Sequence, residues 1–176
     1  LKITTAPAED LKLEFEGKTE QYIAKNQSLD AATAIDGAVI EYSVDGENWT
    51  ATMPSYKDVK EGGYKVIARA VKDGYETATK EAVLTITPAP VTVTTKSARK
   101  VYDGKALTAG GQIEGVLGDD KVEFSVTGSQ TEAGSSMNSY DLKWTGATST
   151  NYKVSEDLGT LTVEKAEGSI TINDGD

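Results

Sequence analysis

The sequence contains no histidine and no cysteine. The first absence removes imidazole acid–base chemistry. The second removes thiol nucleophiles and disulfide staples, and together they exclude the usual zinc ligand sets. Catalysis would have to rest on carboxylates, lysines or hydroxyls. A chain without cysteine suits the cytosol, and equally an exported surface protein that folds without disulfide chemistry. No apolar run approaches the roughly 18 residues of a membrane-spanning helix, and no segment reads as a signal peptide, so no direct membrane insertion is expected. Basic residues are the minority, 18 against 28 acidic, giving a net charge of −10. No basic patch offers itself to phosphate, which disfavours nucleic acid and anionic membranes as partners. A charge of this size keeps an exposed chain soluble.

What is present is repetition. Ile40-Glu41-Tyr42-Ser43-Val44-Asp45-Gly46 returns as Val122-Glu123-Phe124-Ser125-Val126-Thr127-Gly128. Downstream, Gly74-Tyr75 precedes Leu84-Thr85-Ile86 by the same distance that Asn151-Tyr152 precedes Leu161-Thr162-Val163, and a further copy of that ending stands at Leu1-Lys2-Ile3-Thr4. Taking Leu1, Leu84 and Leu161 as equivalent, the period is 83 and then 77 residues. That exceeds the roughly 20–50 residues of solenoid repeats and fits small self-contained domains. Two modules are expected, at 6–87 and 88–166, with 1–5 and 167–176 as the ends of neighbouring repeats. Ser169-Ile170-Thr171-Ile172 reads as the first strand of a further module.

Within each module the periodicity is two. Tyr42 and Val44, then Tyr64, Val66, Ala68 and Ala70, and in the second module Phe124, Val126, Tyr140, Leu142 and Trp144 alternate with polar residues, as in half-buried antiparallel strands. Asp45-Gly46, Glu61-Gly62-Gly63, Asp73-Gly74, Asp103-Gly104 and Gly118-Asp119-Asp120 supply turns at the spacing of a β-sandwich. The fold class is therefore all-β, two tandem sandwich modules. The alternative is a β-grasp-like module with a short helix, for which the alanine-rich segment 29–34 or the glycine-containing segment 106–117 would serve. At the joint, Thr87-Pro88-Ala89-Pro90, two of the 4 prolines restrict the chain to extended conformations. A short extended joint suits a stalk. The threonines expected to face outward, Thr85, Thr87, Thr92, Thr94 and Thr95, keep β-propensity without an apolar surface.

Lys100-Val101-Tyr102-Asp103-Gly104-Lys105, then Gly115-Val116-Leu117-Gly118-Asp119-Asp120, Asn151-Tyr152 and Gly159-Thr160-Leu161-Thr162-Val163 resemble, in this order, the YDG/MBG-type repeats of bacterial surface proteins. The Ala-Gly-x-Tyr of such repeats is stretched here, with Ala133-Gly134 separated from Tyr140 by five residues. The first module is similar to a related Ig-like repeat, with Tyr22-Ile23-Ala24-Lys25 standing where the second has Tyr102-Asp103-Gly104. The resemblance implies Ig-like modules of a large cell-wall-anchored or secreted bacterial protein, often an adhesin, and carries over no catalytic residue. Its implied partners are host glycans, mucin or matrix proteins, and neighbouring repeats of the same chain.

The candidate residues follow from chemistry. In Tyr102-Asp103-Gly104 the Asp and Gly form a tight turn while the Tyr packs at the sheet edge; Tyr75 and Tyr152 occupy matched positions before the last strand, where each ring packs and sends its hydroxyl to backbone. Exposed aromatics on β surfaces stack sugar rings, which makes Trp49 and Tyr56 the ligand-binding candidates of a carbohydrate- or mucin-binding alternative, whereas the alternation points Trp144 inward. The acidic groups Asp45/Glu47/Asn48, Asp119/Asp120 and Asp174/Asp176 lack the ligand ladder of a calcium loop, and no metal or cofactor is expected. Asn151 with Lys96 or Lys100 has the chain order of an internal isopeptide bond, without an identifiable acid. The functional expectation is a non-enzymatic stalk or spacer with weak multivalent adhesion.

Overall fold

The structure, a computed structural model, describes residues 4–146 and 148–168. The strand expected at 169–172 and the carboxylates of Asp174 and Asp176 lie outside the described residues. The chain forms two compact units. The first runs through Ala89 and includes the short segments Leu117–Asp119 and Thr150–Tyr152; the second comprises Pro90–Val116, Asp120–Ser149 and the chain from Lys153 onward.

The first unit opens with a 3-10 turn, Ala8–Leu11, and contains β1 (Glu14–Phe15), β2 (Lys18–Gln21), β3 (Gln27–Ser28), β4 (Ala31–Ala32), β5 (Val39–Ser43), β6 (Ser55–Tyr56), β7 (Tyr64–Val71) and β8 (Ala78–Thr87). A four-stranded sheet has the order β2-β8-β7-β5, and β1-β4 and β3-β6 are two-stranded. The period-two pattern of β7 explains why it sits centrally: Val66, Ala68 and Ala70 point to one face and are buried, as are Ala82, Leu84 and Ile86 of β8. Leu11, Leu13, Phe15, Tyr22 and Leu29 supply the rest of the core. Burying each of these large side chains contributes roughly 1.5–3 kcal/mol before chain entropy is counted. Segment 29–34, where a helix was the alternative, holds the short strand β4.

The strands of the second unit are β9 (Ala89–Thr95), β10 (Ala98–Val101), β11 (Gly111–Glu114), β12 (Val122–Val126), β13 (Gly134–Met137), β14 (Tyr140–Trp144), β15 (Tyr152–Asp157) and β16 (Thr160–Glu164), of which the first residues of β9 and β15, Ala89 and Tyr152, fall in the first unit. They form sheets β11-β9-β15, β10-β16-β13 and β12-β14. Val91, Val93, Leu161 and Val163 are buried between them. Phe124, Val126, Tyr140, Leu142 and Trp144 share one face of the β12–β14 pair and are half-buried, so Trp144 turns inward as its alternation required. Segment 106–117 holds strand β11 and no helix.

Both units are Ig-like sandwiches, in which the second strand pairs in parallel with the last: β2 with β8 and β10 with β16. The pairs β1–β4, β3–β6, β5–β7, β7–β8, β9–β11, β12–β14 and β13–β16 are antiparallel. The stretched Ala133-Gly134…Tyr140 segment is not a loop. It forms β13, registered against β16 from Gly134↔Val163 to Met137↔Thr160, and the chain then passes through Asn138 and Ser139 into β14 in another sheet.

Asn138 is fully buried and ties this passage together. Its side-chain amide donates to the carbonyls of Lys96 (2.9 Å) and Ala109 (3.2 Å). Its backbone N–H donates to Gly159 O at 2.8 Å, and its own carbonyl accepts the Thr95 hydroxyl at 2.7 Å. Thr95, expected to face outward, is buried instead, and its Oγ1 accepts the Gly159 N–H at 3.0 Å, satisfying a backbone donor that the strand break releases. The strand pairs β9/β10, β13/β14 and β15/β16 all change sheet at this level, and the freed backbone groups find partners there. A side chain at Gly159 would place its Cβ 2.3 Å from the carbonyl carbon of Lys96, so only glycine fits.

Candidate functional site

Trp49 follows the Asp45-Gly46 turn, which is built by short-range hydrogen bonds. Asp45 Oδ1 accepts the backbone N–H of Glu47 (2.9 Å) and Asn48 (2.8 Å) and the Ser43 hydroxyl (2.9 Å), and Oδ2 accepts Asn48 Nδ2 at 2.7 Å. The Asn48 side chain first, then these backbone donors, hold the Asp45 carboxyl well below the usual range. Tyr42 and Thr50 exchange backbone hydrogen bonds of 2.9 and 2.7 Å and close the turn. The half-buried indole is thereby laid on the outer face of the four-stranded sheet. Arg69 lies over its ring, guanidinium carbon 4.1 Å from the centroid, and the same Arg69 pairs with Glu41 at 2.7 Å from the facing position on β5. One face of Trp49 is thus occupied by a cation–π contact.

Tyr56 also has an occupied face. Its ring stacks on Tyr64 at 3.9 Å with an interplanar angle of 13°. Lys60 Nζ stands 5.2 Å from the Tyr64 centroid, and the Tyr64 hydroxyl donates to Asp58 O at 2.8 Å. Partial burial, then the nearby Asp58 charge, push the Tyr64 hydroxyl pKa up. The structure does not bring Trp49 and Tyr56 together. Their contacts on β7, Arg69 and Tyr64, lie five residues apart, about 16 Å along a strand, and on opposite faces because side chains alternate. Arg69, Glu41 and Tyr64, the residues that engage these rings, are absent from the sequence-derived set; the matched alternation of β5 and β7 was the available signal for Glu41 and Arg69.

In the Tyr102-Asp103-Gly104 turn the carboxylate of Asp103 accepts Lys100 Nζ at 2.6 Å and the Lys105 N–H at 2.9 Å, while Lys100 Nζ also donates to Lys105 O. The Lys100 hydrogen bond, then the Lys105 N–H, keep the Asp103 carboxyl below its ordinary pKa. Gly104 has φ of 74°, the left-handed region that glycine adopts without penalty. Tyr102 is 41 % exposed, and it is its backbone N–H, donating to Glu164 O at 2.8 Å, that joins the sheet. Tyr22 makes the same bond to Thr87 O at 2.8 Å, and Ala24, two residues on, has φ of 59°. The first unit therefore repeats the geometry of the turn without its Asp and Gly.

Tyr75 is half-buried, with Lys72 Nζ 5.6 Å above its ring and Ala6 bonded on either side, Ala6 N to Gly74 O and Glu76 N to Ala6 O. Tyr152 is buried; its hydroxyl accepts the Leu117 N–H at 3.1 Å, and its ring meets Tyr22 edge-on at 5.3 Å. Beside it the buried Asn151 donates to Asp58 Oδ1 and accepts the Val59 N–H, both at 2.8 Å. Of the two lysines named for an isopeptide bond, Lys100 is committed to the 103–105 turn and Lys96 is exposed.

The surface clefts are open. One of about 360 Å³ is lined by Glu14, Phe15, Glu16, Lys18, Asp30 and Ala32, where Lys18 ion-pairs with Glu20 at 3.1 Å and reaches Asp30 at 3.9 Å. Its carboxylates are exposed, the opposite of the desolvated environment that tunes a general acid or base. Among the described residues no group of three or more acidic side chains is placed to hold a metal ion, and no helix is long and apolar enough to cross a membrane.

Residues 87–159 match the YDG domain. The match contains the Tyr102-Asp103-Gly104 turn and the Asn151-Tyr152 pair. No curated protein matches the sequence. Among solved structures the chain is similar to the N-terminal four Ig domains of Dscam1 isoform 6.9 (12 % identity, 90 % of this chain and 44 % of that one, TM-score 0.31). It is also similar to extracellular domains 3–5 of Drosophila OTK (10 %, 93 % and 67 %, TM-score 0.31) and to the Ig1–Ig3 ectodomain of mouse nectin-like molecule 4 (12 %, 90 % and 65 %, TM-score 0.30). The chain spans less than half of the Dscam1 fragment. The architecture rests on strand pairing and register and owes nothing to these likenesses.

Proposed function

We propose that these are two non-enzymatic modules of a bacterial cell-surface or secreted protein, acting as a semi-rigid spacer that projects other domains outward and adds weak multivalent adhesion. The observation that carries this reading is the joint: β8 ends at Thr87 and β9 begins at Ala89, so a single residue, Pro88, separates the last strand of one repeat from the first strand of the next. Proline fixes φ and disfavours helical conformation in the residue before it, which keeps the joint extended. The YDG match over 87–159, together with the bacterial-surface context that this motif set implies, supports the location. The absence of histidine and cysteine and the exposure of the cleft carboxylates support a role without catalysis.

Small-angle X-ray scattering tests the spacer. Inserting Gly-Ser-Gly-Ser after Pro88 should broaden the distance distribution and shift its maximum relative to the natural chain, because the slack frees the joint. Indistinguishable profiles would remove the stiff joint from the proposal. Adhesion is tested on an array of glycans, mucins and matrix proteins with Trp49→Ala and Tyr56→Ala alongside. The two rings, lying on opposite faces of β7, cannot stack one sugar together, so loss of binding in both variants would contradict the placement described above.

A further inference from the structure

We infer that each unit is built to resist tension along the chain, through a shear clamp made by its second strand, β2 or β10, and its last strand, β8 or β16. In the first unit β2 and β8 run parallel in the register Lys18↔Leu84, Thr19↔Thr85, Glu20↔Ile86 and Gln21↔Thr87. In the second, β10 and β16 do the same from Ala98↔Leu161 to Val101↔Glu164. Each ladder is extended by the next residue's N–H, Tyr22 to Thr87 O and Tyr102 to Glu164 O, both 2.8 Å. Thr87 Oγ1 adds a bond to Glu20 O in the first, and Arg99 pairs with Glu164 at 3.2 Å in the second.

The mechanics follow from direction. A pull on the ends of a unit, transmitted along the chain, draws the second strand backward and the last strand forward. Two adjacent strands that run the same way are then dragged past each other, and all the bonds of the ladder must fail together. Had the two been antiparallel neighbours with both loaded ends on one side, the same pull would open the bonds one at a time. Hydrogen-bond strength falls steeply with misalignment, so resistance depends on how many bonds share the displacement. The residues of the two ladders, Lys-Thr-Glu-Gln and Ala-Arg-Lys-Val, have no similarity, and the units differ in strand continuity elsewhere. The shared feature is the parallel register, which is the feature that tension tests.

This deepens the spacer reading and rests on it, since a projecting chain is a chain under load; scattering and force measurements nonetheless fail separately. Because the chain has no cysteine, introduced cysteines define the pulling points uniquely. In single-molecule force spectroscopy on the full chain, Lys96→Cys with Lys165→Cys loads the N-terminal end of β10 against the C-terminal end of β16, in shear across the clamp. Lys105→Cys with Lys165→Cys loads the C-terminal ends of β10 and β16 and peels the same ladder. All three positions are exposed, and equal melting temperatures of the two variants show that both fold. Forced unfolding reports the unfolding barrier along the pulling direction. The expected result is a several-fold higher unfolding force in the shear geometry than in the peeling geometry at equal loading rate. Equal forces, or a higher force on peeling, would overturn the clamp while leaving the spacer reading untouched.

Discussion

The same repeat is built in two ways. In the first unit β7 is one unbroken strand of eight residues that pairs with β8 on one side and β5 on the other. In the second, the corresponding stretch is cut at Asn138-Ser139, so that β13 pairs with β16 and β14 with β12. The last strand differs likewise: β8 runs for ten residues, whereas β15 and β16 lie in different sheets and part at Leu158-Gly159. Small apolar residues, Ala68, Ala70 and Ala82, let the first unit stay continuous around a dry core. The second leaves β11, β12 and β14 half-buried and closes its corner with a buried amide. The lesson is that a repeat can preserve which strands face one another while exchanging the means of holding them, because backbone groups released by a strand break need only some partner.

The largest break in this comparison should come at the corner of the second unit. Asn138→Ala would leave the part-buried carbonyls of Lys96 and Ala109 without their donor, a loss of roughly 1–3 kcal/mol. Gly159→Ala forces Lys96 and Ser97 aside, at about 3 kcal/mol for overpacking. Each unit holds one tryptophan, Trp49 or Trp144, so denaturant titrations followed by fluorescence in Trp144→Phe and Trp49→Phe backgrounds separate the transitions. Both corner substitutions should lower the Trp144 midpoint and leave the Trp49 midpoint where it was. A fall in both would mean that the two units do not answer separately to a defect at this corner.

A smaller effect sharpens the equivalence of Ala24 and Gly104. Both have positive φ, 59° and 74°, and an L-residue there is strained by roughly 1–2 kcal/mol. Ala24→Gly should therefore stabilise the first unit and Gly104→Ala destabilise the second, each by about 1 kcal/mol after the change in unfolded-state entropy. Opposite shifts of the two midpoints establish that the turns are equivalent; shifts of the same sign refute it.

The smallest effect is electrostatic. Asp45 in the first unit and Asp103 in the second both have carboxyl pKa values depressed by hydrogen-bond donors, Asn48 foremost for one and Lys100 for the other. A depressed folded-state pKa contributes stability that is complete above the unfolded value of about 4 and is lost as pH falls through the folded value. Side-chain NMR titration should find both carboxyls ionised below pH of about 4, where ordinary aspartates protonate. Both groups are exposed, so the accompanying change in melting temperature should be slight.

Much of this molecule was legible in its residues. The repeated Glu-aromatic-Ser-Val segment, the Asp-Gly turns and the Leu-Thr-hydrophobic endings locate the strands, because turn chemistry and period-two burial act over a few residues. The Tyr102-Asp103-Gly104 turn was legible for the same reason. The break at Asn138 was not. Ser136, Asn138, Tyr140, Leu142 and Trp144 keep their alternation straight through it, and alternation reports which face a side chain takes without reporting which strand it pairs with. Trp49 and Tyr56 show the same limit from another side: sequence marks both as aromatics near turns, and only the β5–β7 register puts them on opposite faces of one sheet.

The sequence by itself determined that the chain repeats, that the repeats are β-structured, and that imidazole and thiol chemistry are absent, since composition and local periodicity need no knowledge of distant contacts. Tertiary structure decided which strands become neighbours, that the second and last strands of each unit run parallel, and that a buried asparagine carries three strand pairs from sheet to sheet. Those choices are made by hydrogen bonds and packing between residues tens of positions apart, and such pairings leave no periodic trace along the chain.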